Sequence, residues 1–74
     1  MIKHRLLSSL LALYLVLGTW KGYIALFRAG EEEPWQIFPT MADTLPEEDR
    51  LALEKGIVVR SEKKLQQLLE DYLS

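Results

Sequence analysis

The distribution of apolar residues splits the chain into one long hydrophobic run and a stretch that alternates and turns. Lys3, His4 and Arg5 come first, and then residues 6 to 20 are apolar except for Ser8, Ser9, Gly18 and Thr19. A helix that is hydrophobic all round needs surroundings that are apolar all round, and basic residues ahead of such a run mark an export signal. The pattern predicts a membrane-directed helix over residues 1–20, with Leu6, Leu10, Leu13 and Leu17 in the apolar phase and Trp20 at the interface. Fifteen residues of helix reach about 22 Å against a hydrocarbon core of about 30 Å. The run is therefore either a short uncleaved anchor, stretched by snorkelling basic side chains, or the core of a cleaved signal peptide. Val16-Leu17-Gly18 is a poor small-x-small cleavage site and favours the anchor. Positive charge before the span then leaves the N-terminus in the cytoplasm and the remainder outside, whereas cleavage would secrete it. A rival reading extends the helix to Phe27 and turns Gly18 and Gly22 into a G-x-x-x-G pairing face, at the cost of placing Lys21 at bilayer depth.

Residues 21–74 read as a small α+β domain of order β-β-α-β-α, with a two- or three-stranded sheet and helices on one side. Gly22 to Arg28 is rich in β-branched and aromatic residues, Ala29 to Pro34 breaks that pattern, and Trp35 to Ala42 is extended again, which predicts a hairpin. Pro39 has no N–H to donate, so its strand is expected at an edge or bulged at that point. That edge, over residues 35 to 42, offers a place for a partner strand to add. Pro46 followed by Glu47, Glu48 and Asp49 starts a helix, and Lys55-Gly56 stops it, giving a helix over 46–55. Ile57-Val58-Val59 supplies a short strand. Ser61 then caps a last helix in which Leu65, Leu68, Leu69 and Tyr72 share one face.

Size limits what such a domain can do. The 55 residues from Trp20 onward can bury only about 60% of the surface their unfolded form exposes, and small chains of this kind often depend on a partner. Cysteine is absent, which removes disulfides, zinc-thiolate sites and thiol nucleophiles together. From Trp20 onward seven Lys/Arg face eleven Asp/Glu, a net of −4 that repels phosphate backbones and argues against nucleic-acid binding. The one histidine, His4, stands among the basic residues of the start. Ser61-Glu62-Lys63-Lys64 matches the S-x-x-K nucleophile motif without its companion motifs, and a helix-capping serine explains it. The acidic clusters lack calcium-loop spacing and the four glycines are scattered. The expectation is a non-enzymatic protein with no cofactor and no metal site.

Thr44-Leu45-Pro46-Glu47-Glu48-Asp49-Arg50, Leu53-Glu54-Lys55-Gly56-Ile57-Val58-Val59, the Ser61-Glu62 start with Leu65, Leu68, Leu69, Glu70, Asp71 and Tyr72, and the strand Gly22 to Phe27 together resemble the C-terminal domain of bypass-of-forespore C proteins. The resemblance covers residues 21–74 and rests on strand, cap and helix-face positions. The family's separate N-terminal domain has no counterpart here; the membrane segment stands directly before the matching stretch. In that family, exported proteins of spore-forming Gram-positive bacteria restrain a sporulation signalling protease. The resemblance thus implies a regulatory, protein-binding role outside the cytoplasm. Tyr23, Phe27, Trp35 and Phe38 are the candidate contact residues, since aromatic groups along the hairpin either complete the core or meet a partner. The expected partners are the membrane and another protein. The alternative is a homo-oligomeric structural component of the cell envelope.

Overall fold

The computed structural model describes residues 14–73. Strand β1, Leu15–Trp20, turns through Lys21 and Gly22 into β2, Tyr23–Arg28, and a longer loop leads to β3, Gln36–Met41. A single 3₁₀ turn at Ala42–Thr44 precedes helix α1, Glu47–Lys55; β4, Ile57–Val59, and helix α2, Glu62–Leu73, complete the order. The four strands form one sheet in the order β3-β2-β1-β4, every neighbouring pair antiparallel.

The sheet therefore has one strand more than the two or three expected, and that strand is made from the end of the apolar run. Leu17 and Trp20, read from sequence as membrane-segment residues, lie in β1. A near-continuous apolar stretch describes a strand buried on both faces as well as it describes a helix in lipid, and hydrophobicity alone does not separate them. Gly18 and Gly22, the two ends of the alternative G-x-x-x-G reading, fall in a strand and in a turn. Leu6, Leu10 and Leu13 lie outside the described residues.

Local chemistry accounts for the connections. Lys21 and Gly22 both have positive φ, 51° and 91°, as a two-residue type I′ hairpin requires. Gly22 is fitted to this twice over, because a Cβ there would also meet the Met41 Cε at 2.9 Å. In the second hairpin the Trp35 N–H donates to the Leu26 carbonyl at 2.7 Å. Opposite β3, β2 advances from Tyr23 to Ala25 while its partner advances from Met41 back to Ile37, so β3 is bulged around Pro39 on the sheet's outer edge, as expected. Pro46 is the N-cap of α1 and not its first helical residue; its extended backbone (ψ 153°) leaves the carbonyl to accept the Arg50 N–H at 3.0 Å. Gly56, at φ 92°, closes the helix with bonds to the carbonyls of Ala52 and Leu53. The Ser61 Oγ accepts the Lys64 N–H at 3.1 Å, the cap expected for α2.

Side chains alternate across a strand, so pairing fixes the two faces of the sheet. Leu15, Leu17, Ile24, Leu26, Phe38, Ile57 and Val59 share one face, where they pack with Leu53 of α1 and Leu68 of α2. Tyr72 joins this layer from α2, and its hydroxyl is held above its ordinary value by burial first and then by the carboxylates of Asp49 and Asp71.

Two stability measurements follow from these assignments. Leu17 is fully buried, so Leu17→Ala should cost about 2 to 5 kcal/mol in urea unfolding; a leucine facing lipid would leave the domain's stability unchanged. Lys21 carries a left-handed conformation that disfavours most side chains, so Lys21→Asn should raise stability by about 0.5 to 1 kcal/mol, read as a higher urea midpoint at unchanged slope.

Candidate functional site

The face of the sheet turned away from the helices is as apolar as the face they cover. Pairing across the strands sets Val58, Val16 and Phe27 in one row, Gly18, Ala25 and Ile37 in the next, and Trp20, Tyr23 and Met41 in the third. None of these nine positions carries a charge. A one-sided antiparallel sheet normally alternates hydrophobic-in with polar-out. Here the outward set is hydrophobic as well.

The middle of this face is shallow and its flanks are raised. Gly18 and Ala25 are buried beneath larger neighbours, and a Cβ on Gly18 would touch the Phe27 ring and the Leu53 carbonyl, each at 3.4 Å. Phe27 meets Trp20 edge-on, with ring centroids 6.4 Å apart and planes at 65°. Around them Tyr23, Ile37 and Val58 remain 40%, 50% and 49% exposed. Charge appears at the margin, where the Lys21 ammonium lies 5.6 Å from the Trp20 ring. Stacking on the ring holds this cation beside the apolar surface instead of over it.

The four aromatic candidates divide between the two sides. Tyr23 and Phe27 lie together on the open face. Trp35 does not join them; it is 55% exposed and stacks against Arg28, whose guanidinium is 5.1 Å from the ring. Of the two alternatives for Phe38, core or partner contact, the structure has it in the core, 8% exposed in one cluster with Leu17, Leu26 and Leu68. Its place follows from strand alternation, because Gln36 pairs with Leu26 and Phe38 points the same way as that pair. Val16, Trp20, Ile37, Met41 and Val58 belong to the open face and were missed. Reading Leu15 to Trp20 as a strand would have found Val16 and Trp20, because they share the phase of Gly18.

Edge addition at residues 35 to 42 finds less support in the geometry than this face does. The bulge and Pro39 interrupt the row of donors and acceptors that a partner strand would need. Among the described residues no group of three His, Asp or Glu side chains could hold a metal ion, and no buried side-chain polar atom lacks a hydrogen-bond partner. Among them, too, no helix is long and apolar enough to cross a membrane. What the fold and the face define is a two-layer α+β module with a four-stranded antiparallel sheet, covered by helices on one side. Comparisons with protein families, with curated proteins and with solved structures gave no match.

Proposed function

We propose that this chain is a non-enzymatic interaction module whose partner is a protein that covers the open sheet face. One observation carries the reading: nine adjoining sheet positions without a charge, on the side opposite the helices, with Tyr23, Ile37 and Val58 near half exposure. Contiguous exposed apolar surface of this kind marks interaction sites on small soluble domains, and Trp and Tyr are the side chains that most often dominate binding. The resemblance to bypass-of-forespore C domains supports a narrower form of the same proposal, an extracytoplasmic regulator that binds a signalling protease. A second copy of the chain is the alternative partner. An uncharged face is complementary to itself and meets no like-charge repulsion across a two-fold axis.

Delivery to a membrane belongs to the proposal in altered form. Leu15 to Trp20 cannot pair in the sheet and lie in lipid at once. With β1 in place, the apolar stretch ahead of it runs from Leu6 to Leu13, about 12 Å if helical, against the ~30 Å of a hydrocarbon core. We therefore take these leucines, with Lys3 and Arg5 beside them, to hold the folded module at a membrane surface. Washing membranes with alkaline carbonate should release the full-length protein; retention in the pellet would favour a span through residues 6–20 and the loss of β1.

For the interaction itself, a photo-crosslinking side chain at Ile37 or Val58 should give one discrete adduct in cells, and the same group at Leu51, an exposed apolar site on α1, should give none. Tyr23→Ala should weaken the complex about ten- to thirty-fold without unfolding the domain. An adduct of twice the chain's mass, with dimer in sedimentation, would assign the face to self-assembly. Equal labelling from Leu51, or none from either face position, would refute the proposal.

A further inference from the structure

The helix-covered side of the sheet is not closed along its whole length. A groove of about 550 Å³ runs between the first turns of α2 and the ends of the strands. Leu15, Leu26, Phe38 and Val59 of the sheet and Leu65 and Leu69 of α2 make its apolar floor and wall. This volume lies within the range of ligand sites, about 300 to 1,000 Å³. It opens on the side of the sheet opposite the interaction face, so it does not rest on the reading given above.

Arg28 and Arg60 stand at its mouth. Pairing brings them there, since Leu15 is opposite Arg28 on one side and opposite Val59, the residue before Arg60, on the other. Arg50 pairs with Glu47 at 3.7 Å and with Glu54 at 3.2 Å, whereas among the described residues neither rim arginine makes an ion pair. Both are stacked on rings instead, Arg28 on Trp35 and Arg60 on Tyr14. In a chain with eleven acids and nine Lys/Arg, two guanidinium groups against one carboxylate, Glu62, along an apolar groove are a local reversal of the prevailing charge. A stacked guanidinium keeps its N–H fork directed outward for a planar, bidentate acceptor.

We propose that this groove binds an amphipathic anion, a single unbranched alkyl chain ending in a carboxylate. The chain lies on the leucines, where removal from water favours it, and the carboxylate stays at the rim against Arg28 and Arg60. Glu62, also at the rim, selects a singly charged head over a dianionic phosphate by like-charge repulsion.

Titration of the full-length protein with dodecanoate, followed by methyl NMR, tests this. Saturable shifts are expected for Val59, Leu65 and Leu69, with Val16, Val58 and Ile37 of the open face unmoved. Dodecanol, the same chain without the charge, should bind at least ten-fold more weakly. Arg28→Gln and Arg60→Gln should each weaken dodecanoate at least ten-fold and leave dodecanol unchanged; either variant serves if the other does not fold. Equal affinity for dodecanol and dodecanoate, shifts confined to the open face, or no saturable binding would each overturn the proposal.

Discussion

The fold depends on β1 lying in the interior of the sheet. It pairs along all six residues with β2 and through its first three with β4, so removing it would separate the hairpin β2–β3 from the β4–α2 unit. Its middle is buried from both sides: Leu17 faces the helices, and Gly18 lies against the Phe27 ring, with the Leu53 carbonyl beside it. A backbone in that position must have every N–H and C=O paired, and only strands on both sides can supply those partners. The same burial dictates the composition at its centre, where neither Leu17 nor Gly18 leaves room for a charge.

That composition is also why the sequence misleads at this one place. Turns, caps and helices announce themselves locally. Pro46 with the three acids after it, Lys55-Gly56, and Ser61 ahead of a leucine stripe each set an element's boundary to within a residue of where it lies. The hairpin β2–β3 and the bulge at Pro39 were legible for similar reasons. Leu15 to Trp20 has no such punctuation at its start, since it continues an apolar run that begins at Leu6. Where β1 begins is decided by pairing with β2 and β4, which are distant in sequence, and a one-dimensional reading has no access to it.

Legibility of the site failed and succeeded along the same line. Tyr23 and Phe27 fall on the open face because β2 lies where the apolar pattern set it. For Phe38 the choice between core and partner stayed open because the alternation of β3 was not referred to a partner strand, and Trp20 was overlooked because its strand was read as helix. Once register is known, the two faces separate cleanly. One is occupied by α1 and α2 and narrows to a groove with two arginines at its mouth; the other is uncharged and edged by Lys21 stacked on Trp20. A domain of this length has few residues to spend on surface, and here hydrophobic groups stand on both sides of one sheet.

The edges of the sheet constrain how such a surface is used. An apolar slab with open edges would be a template for fibres, each molecule adding its strand to the last. Here one border is bulged and carries a proline, and the other ends after three residues. Growth in the plane of the sheet is thereby blocked at both borders. Association is left one direction, perpendicular to the strands, where a single layer of contact ends the process and yields a discrete complex instead of an open-ended aggregate.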